Sequence, residues 1–202
     1  MYVKICGLRD ASTAAHAIDA GADAVGVVMS PQSPRHATFA EATDVVSAAR
    51  SADRRVDAAL VVNRMPAREA AETALGLGFD VLQLHGAYTA DDFAAARKIL
   101  PRLWRATSLA QHPALRAGAF GEERLLVDGA SPGSGRPWDL SLIDGAVLGD
   151  AWLLAGGLNP ENVAAAISAT RPAGVDVSSG VERAPGEKDP DLITRFIRAA
   201  RS

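Results

Sequence analysis

Short apolar runs rich in β-branched residues recur along the whole chain and predict eight buried strands. Alanine-rich segments with helical spacing of apolar residues lie between them and predict helices. Some predicted helices have recognisable ends, such as Asn159 ahead of Pro160 at a start and Gly21 after Ala20 at a stop. The predicted strands are residues 2–6, 23–29, 56–62, 80–85, 102–108, 124–128, 151–156 and 174–179. The predicted helices are residues 11–20, 39–51, 66–78, 89–100, around 109–120, a very short one around 139–145, 160–170 and 189–202.

The regular alternation of these elements predicts the fold class. Eight strand and helix units in 202 residues match a (β/α)8 TIM barrel with eight parallel strands, near the lower size limit of about 200 residues for that fold. An open doubly wound sheet is the alternative, but it usually has a G-x-G-x-x-G turn after its first strand, and KICGLRDAS has one glycine there. Because no linker divides the chain, we expect one domain over residues 1–202.

Composition and charge restrict the class of partner. The chain is 48% hydrophobic and 22% charged with a net charge of −3, which is typical of one soluble globular domain. It has no run of about 20 apolar residues and no leader pattern, so we expect a cytoplasmic protein that does not associate with membranes. It also has no block of lysine and arginine, which argues against nucleic-acid binding. Small molecules are the expected partners.

Metal binding and disulfide formation are not expected. Cys6 is the only cysteine and therefore has no internal partner. The four histidines are scattered without the spacing of a zinc or haem site.

Polar residues gather where the predicted strands end. In a TIM barrel the active site lies at the carboxyl ends of the strands, so these residues are candidate substrate contacts. Two neighbouring turns, AGGLNPEN and DVSSGVE, have the glycines and hydroxyls of a phosphate site after strands 7 and 8. Two glycine turns that only close loops are the alternative. The candidate binding residues at these strand ends are Gln83, His85, Gly156, Gly157, Asp176, Ser178, Ser179 and Gly180.

Cys6 and Asp128 are the candidate proton-transfer groups. Cys6 ends strand 1, and a neighbouring positive charge would lower the pKa of its thiol and suit it as a base. Asp128 ends strand 6, where burial and an anionic ligand would raise its carboxyl pKa and suit it as an acid. A buried small hydrophobe and a loop-capping aspartate are the alternatives for the two positions. Because strands 6, 7, 8 and 1 are neighbours, the two groups would flank the phosphate site.

Two further predictions concern charged residues. Arg35 lies in the loop SPQSPRH after strand 2 and could bind a second anion such as a carboxylate; an ordinary solvated charge is the alternative. Strand alternation places Lys4 and Asp176 inside the barrel on adjoining strands, where we expect an ion pair with its charged atoms within about 6 Å.

With these residues in view, the sequence resembles the phosphoribosylanthranilate isomerase family of tryptophan biosynthesis over essentially its full length. The resemblance rests on motifs in a fixed order: KICGLR, SPR, VLQLHG, LLVDG, LAGGLNPENV and GVDVSSGVERAPGEKD. It implies an Amadori rearrangement of N-(5-phosphoribosyl)anthranilate to 1-(2-carboxyphenylamino)-1-deoxyribulose 5-phosphate.

The resemblance also implies a role for each candidate residue. Asp128 would protonate the furanose oxygen, and Cys6 would remove the proton from C2 of the sugar. Arg35 would bind the anthranilate carboxylate, and the glycines and serines of the two turns would bind the phosphate. No metal or organic cofactor is implied, and either a monomer or a homodimer is compatible with the sequence.

The chain departs from the family pattern at a few positions. After Asp128 it has SPGSG, with Pro132 and Ser134 in place of a glycine and a threonine, and the next helix begins with Trp138 and Asp139. Ala87 replaces an acidic residue that often follows QLHG. We expect these changes to affect closure of the strand 6 loop and the rate of turnover, while the acid, the base and the anion contacts are retained.

Other classes of barrel remain as alternatives. An isomerase of histidine biosynthesis, or an enzyme that serves both pathways, commonly has an aspartate where this chain has Cys6. A lyase like the tryptophan synthase α-subunit would need carboxylates on other strands and a partner subunit. A non-catalytic sugar-phosphate-binding barrel would not need the two proton-transfer groups.

Overall fold

The computed structural model describes residues 1–109, 115–128, 140, 143 and 145–202. Eight strands form a closed parallel barrel in which neighbours in the chain pair with each other and β1 pairs with β8. The predicted eight-stranded parallel barrel is therefore confirmed, and the open sheet is excluded because the barrel has no edge. The barrel strands are β1 Tyr2–Cys6, β2 Ala24–Val28, β3 Asp57–Val62, β4 Val81–His85, β5 Leu103–Ser108, β6 Arg124–Asp128, β7 Trp152–Leu154 and β8 Gly174–Val177.

Helices cover the outside of the barrel, and an antiparallel hairpin follows β8 after a short 3-10 turn at Ser179–Val181. Local sequence accounts for the helix ends. Thr38 and Thr89 cap α2 and α4 in capping boxes, and Asp189 caps α7 ahead of Pro190. The helices are α1 Ala11–Asp19, α2 Phe39–Arg50, α3 Ala67–Gly76, α4 Ala90–Arg97, α5 Gly145–Leu148, α6 Val163–Thr170 and α7 Pro190–Arg201; the hairpin strands are β9 Glu182–Ala184 and β10 Glu187–Lys188.

The start of α6 differs from the prediction. The helix begins at Val163, three residues after the predicted start at Pro160. The Asn159 side chain instead caps the preceding turn, where its Oδ1 accepts hydrogen bonds from the N–H groups of Glu161 and Asn162 at 2.9 and 3.0 Å. The capping signal was therefore real, but it starts a turn that leads into the helix.

Two other predicted helices also differ. Residues 115–120 are not helical, and residues 117–120 form a turn, because Gly118 and Gly121 have φ values of +81° and +74° that a helix cannot continue through. Residues 110–114 of that predicted helix lie outside the described part of the chain. The short helix predicted around 139–145 corresponds to α5, which begins only at Gly145, and positions 139, 141, 142 and 144 lie outside the described residues.

Buried apolar side chains form two clusters, one between the strands and the helices and one inside the barrel. Strand alternation sends one set outward against the helices and another into the barrel, where Trp104 is fully buried and lies edge-on to Tyr2 at 6.0 Å between ring centroids. The inner set is Ala24, Ala59, Val81, Trp104, Ala106, Leu126 and Leu153. In the described part of the chain, no helix has the length and apolar character needed to cross a membrane.

Candidate active site

A cavity of about 820 Å³ opens at the carboxyl ends of the strands. Most of the predicted site residues line it, although they come from different strands and loops of the chain. Gly156, Gly157 and Gly180 are not among its lining residues and lie in the turns beside it. The predicted residues that line the cavity are Cys6, Arg35, Gln83, His85, Asp128, Asp176, Ser178 and Ser179.

Cys6 lies at the end of β1 with 5% of its surface exposed. It shares a confined space with Lys4, because a Cβ added to Gly26 on the neighbouring strand would lie 2.9 Å from the Cys6 Sγ and 3.2 Å from the Lys4 Nζ. Burial raises the pKa of the Cys6 thiol, while the positive charges of Lys4 and Lys188 oppose that rise. The expected positive neighbour is present, but burial has the larger effect on the pKa of this thiol.

Lys4 and Asp176 form the predicted ion pair inside the barrel. The Lys4 Nζ donates to the Asp176 Oδ1 at 2.8 Å, well within the expected limit, and the two residues are paired in the β1–β8 register. Burial by itself would lower the pKa of Lys4, but Asp176 raises that pKa above its usual value. Lys4 therefore stays positively charged directly beneath Cys6, which does not suit it to Schiff-base chemistry.

Asp128 is the last residue of β6, and 8% of its surface is exposed. It lines the same cavity as Cys6, with β7 and β8 between their strands in the barrel. The loop that follows, with Pro132, Ser134, Trp138 and Asp139, lies outside the described residues. The barrel thus brings together two groups that are far apart in the sequence.

The two glycine turns after β7 and β8 contact each other. Gly156 and Gly157 have φ values of +82° and +66°, and no hydrogen bond between described residues uses their N–H groups. The Leu158 carbonyl oxygen is so close to Gly180 that a Cβ added there would lie 1.8 Å from it. Backbone N–H groups at such glycines can approach an anion closely. The arrangement is therefore suited to bind an anion such as a phosphate between Cys6 and Asp128.

Arg35 lines the cavity, and its guanidinium forms two hydrogen bonds with one carboxylate. The Arg35 Nε donates to the Glu182 Oε1 at 2.7 Å, and the Nη2 donates to the Glu182 Oε2 at 2.9 Å. Arg35 is 8% exposed, so it is not an ordinary solvated charge. Because Glu182 engages only one edge of the guanidinium, the other edge remains to bind a carboxylate.

Polar side chains on β4 and the loops after β2 and β3 complete the wall of the cavity. The Ser30 hydroxyl donates to the Asn63 Oδ1 at 2.6 Å. The buried Gln83 Oε1 has no hydrogen-bond partner among the described residues, so it can accept a bond from a ligand. Burial lowers the pKa of His85, so its imidazole is neutral near pH 7.

Glu182 and Lys188 belong to the site but were not predicted from the sequence. Both belong to the hairpin β9–β10, and the Lys188 Nζ donates to the Glu182 Oε1 at 2.7 Å. A turn signal was present, since VERAPGEK contains the dipeptide Pro185–Gly186, which is typical of turns. Their contact with Arg35 depends on how the hairpin folds over the barrel, which local sequence does not reveal. Within the described ranges, no three histidine, cysteine or acidic side chains are grouped as metal ligands.

The fold and site together define a TIM barrel with a cysteine and an aspartate in one cavity at the carboxyl ends of its strands, where enzymes of this fold have their active sites. The family model described as N-(5'phosphoribosyl)anthranilate (PRA) isomerase matches residues 3–199. The chain belongs to this family of isomerases.

Individual relatives agree with the family. An N-(5'-phosphoribosyl)anthranilate isomerase from Paracoccus denitrificans is 44% identical over 98% of this chain and 96% of its own. The crystal structure of TrpF from Jonesia denitrificans is 48% identical, with a TM-score of 0.88, and covers 100% of this chain and 97% of its own. A third structure, of a phosphoribosyl anthranilate isomerase in complex with reduced 1-(o-carboxyphenylamino)-1-deoxyribulose 5-phosphate, is 30% identical with a TM-score of 0.84 and covers 100% of this chain and 98% of its own.

Proposed function

We propose that this chain catalyses the Amadori rearrangement of N-(5'-phosphoribosyl)anthranilate, with Asp128 as general acid and Cys6 as general base. The observation that carries the proposal is the single cavity that both residues line, with the turns of β7 and β8 between them. A phosphate at those turns would hold the sugar across the space between the acid and the base. Family membership supports the reaction, and the geometry supports the assignment of roles.

The proposed reaction begins with ring opening. Asp128 donates its proton to the furanose oxygen, the bond from that oxygen to C1 breaks, and the anilino nitrogen supplies the electron pair that forms an iminium. A nearby phosphate dianion would favour the protonated form of Asp128, because a like charge raises a carboxyl pKa. Gly156, Gly157, Ser178, Ser179 and Gly180 would bind that phosphate.

Cys6 then removes the proton from C2. The electrons of the C2–H bond form the C1–C2 double bond and neutralise the iminium, which gives an enolamine that tautomerises to the aminoketone. Lys4 supports this step, because its ammonium stabilises the thiolate form of Cys6. The reaction is an isomerisation, so no oxidant, reductant or second substrate is consumed.

The remaining contacts would orient the substrate. Arg35 would bind the anthranilate carboxylate through its free edge, and Gln83, His85 and Asp176 would contact the sugar or the anilino nitrogen. The reduced product analogue bound by the structural relative has both a phosphate and a carboxylate. The glycine turns offer backbone N–H groups to a phosphate and Arg35 offers a guanidinium to a carboxylate, so the site has donors for both groups.

Several wider predictions accompany this proposal. We propose that residues 1–202 act as one domain in the cytoplasm, as a monomer or homodimer, without a metal or organic cofactor and without nucleic-acid or membrane partners. Gel filtration with light scattering would determine the oligomeric state. Activity that survives treatment with a strong chelator would support independence from metal.

The test of the function is anthranilate fluorescence measured with freshly generated phosphoribosylanthranilate. Cys6→Ser and Asp128→Asn should each lose about 10²–10⁴-fold in rate, the usual contribution of a positioned acid or base. Asp44→Asn, at an exposed position of α2, is the matched control and should retain full activity. Near-full activity in both site variants would contradict the proposed roles of Cys6 and Asp128.

The same assay with the aminoimidazole substrate of histidine biosynthesis tests for dual specificity. A wild type that is inactive on both substrates would indicate a non-catalytic barrel.

A further inference from the structure

Two buried cations share one buried carboxylate at the rim of the cavity. Glu182 accepts hydrogen bonds from Arg35 at 2.7 and 2.9 Å and from Lys188 at 2.7 Å. The side chains of Arg35, Glu182 and Lys188 are only 10%, 4% and 4% exposed. We call these three side chains the rim cluster. Burial lowers the pKa of Lys188, and its contact with Glu182 opposes that decrease. When both cations are protonated, the cluster has one negative and two positive charges.

Glu182 fixes the plane of the Arg35 guanidinium. Its two oxygens engage the Nε and Nη2 atoms, which form one edge of the planar group. Arginine has five N–H donors, so the two on Nη1 and one on Nη2 are left to bind a ligand carboxylate at the other edge. An arginine held in this way loses little side-chain entropy when the ligand binds.

Lys188 connects the rim cluster to the turn after β8 at residues 178–180, which we call the phosphate turn. Its Nζ also donates to the carbonyl oxygen and the hydroxyl of Ser178, at 3.0 and 3.1 Å. The Ser178 hydroxyl in turn donates to the carbonyl oxygen of Cys6 at 3.0 Å. The lysine thus contacts both the residue that orients Arg35 and the start of the turn after β8.

Close packing around Gly7 shows that this arrangement is built into the fold. Gly7 follows Cys6 with φ +78°, and a Cβ at this position would lie 2.9 Å from the Arg35 Cδ and the Ser178 Oγ, and 3.2 Å from the Lys188 Nζ. Only a glycine leaves room for all three side chains next to the end of β1.

The second cation of the rim cluster, Lys188, affects how strongly the cluster attracts an anionic ligand. A single Arg35–Glu182 pair would be neutral and would attract an anion weakly. Burial would raise the pKa of Glu182, but Arg35 and Lys188 hold that pKa below its usual range, so the carboxylate stays ionised. The ionised Glu182 in turn favours the protonated form of Lys188, and a protonated Lys188 gives the cluster a net positive charge while Glu182 orients Arg35.

We propose that Glu182 and Lys188 are positioning residues for the substrate: Glu182 orients Arg35 toward the anthranilate carboxylate, and Lys188 couples that contact to the phosphate turn. This inference rests on the proposed function, since it takes Arg35 as the carboxylate contact. It assigns the hairpin β9–β10 a part in substrate recognition.

The test is a double-mutant cycle of Glu182→Gln with Arg35→Met, measured as kcat/KM. Glu182→Gln alone should lower kcat/KM about tenfold, mostly through KM, which is the order expected for loss of a charge-assisted contact. In the Arg35→Met background the same change should have almost no further effect. Glu187→Gln is the matched control, because this residue lies in the same hairpin in an exposed pair with Arg183.

Inhibition by the reduced product analogue and by its counterpart without the carboxylate separates positioning from structural support. Glu182→Gln should weaken inhibition by the first compound only, whereas Lys188→Met should weaken both, because Lys188 also contacts the phosphate turn. If Glu182→Gln does not fold, Glu182→Asp keeps the charge with a shorter reach and should show the same pattern. Additive losses in the cycle, or equal weakening of both compounds by the Glu182 variant, would overturn the inference. A wild type without isomerase activity would instead overturn the proposed function.

Discussion

The Lys4 Nζ lies 2.8 Å from the Asp176 Oδ1 inside the closed barrel, directly below the cysteine that ends β1. The Lys4 side chain is completely buried and that of Asp176 is 13% exposed. Neither charge would be stable alone in this interior, because removal of charge from water is costly. The pair therefore places a fixed positive charge beneath Cys6 without an uncompensated ion in the core.

Replacement of one partner should destabilise the barrel. Lys4→Met leaves Asp176 buried without its cation, and we expect a loss of about 3–5 kcal/mol in the free energy of unfolding. The double variant Lys4→Met with Asp176→Asn should recover much of this loss. Urea unfolding would measure both, with Lys98→Met at an exposed position as the control. A single variant as stable as the wild type would contradict the role of the pair.

The same variant should change the pH dependence of kcat/KM. Lys4 lowers the pKa of Cys6, so its removal raises that pKa, decreases the thiolate fraction at neutral pH and moves the acidic limb of the profile to higher pH. Asp176 acts in the opposite direction and raises the pKa of Cys6. The double variant should therefore show a smaller shift than Lys4→Met alone. An unchanged limb in both variants would mean that Cys6 is not the group that titrates.

A side chain at Gly26 on β2 should displace Cys6 and Lys4. A Cβ there would lie 2.9 Å from the Cys6 Sγ and 3.0 Å from the Lys4 Cε, so Gly26→Ala should displace both groups and cost about 1–3 kcal/mol of stability. We expect kcat to fall strongly while the circular dichroism spectrum stays that of the barrel. Gly76→Ala is the control, because nothing lies within 4 Å of a Cβ at that position in α3 and alanine favours a helix. Full activity of Gly26→Ala would contradict the close packing at Cys6.

Periodicity predicted the features of the fold that depend on local spacing. Alternation along β1 and β8 was sufficient to pair Lys4 with Asp176, and the repeat of strands and helices was sufficient to predict a closed barrel. The contact between Arg35 and Glu182 was not predictable in this way. These residues are 147 positions apart, and their contact depends on the path of two loops rather than on the strand register.

The positions of two glycines explain why the helix predicted around residues 109–120 does not form at residues 115–120. A segment rich in alanine and leucine suits a helix by propensity. Gly118 and Gly121 instead adopt positive φ angles, so the chain turns before β6. At these two positions backbone conformation, rather than apolar spacing, determined the structure.

At the amino ends of the strands, opposite the cavity, Asp57 should contribute to the stability of the protein in a way that depends on pH. Asp57 accepts hydrogen bonds from the Tyr2 hydroxyl at 2.8 Å and from Arg102 at 2.6 and 2.9 Å. Burial would raise the pKa of Asp57, but its hydrogen bonds with Arg102 and Tyr2 lower that pKa below its usual value. A carboxyl whose pKa is lower in the folded state stabilises the protein above its unfolded pKa of about 3.9. That stabilisation is lost as the pH falls through the folded pKa.

Asp57→Asn should therefore be less stable than the wild type at pH 7, by about 2 kcal/mol for the loss of charge-assisted hydrogen bonds. The difference should shrink as the pH falls below about 4, because the wild-type carboxyl becomes protonated as well. Urea midpoints measured from pH 7 down to the acid limit would follow this convergence. Asp53→Asn, at an exposed position, is the control, and its urea midpoint should change with pH in the same way as that of the wild type. A stability difference for Asp57→Asn that stays constant in acid would show that its charge does not stabilise this end of the barrel.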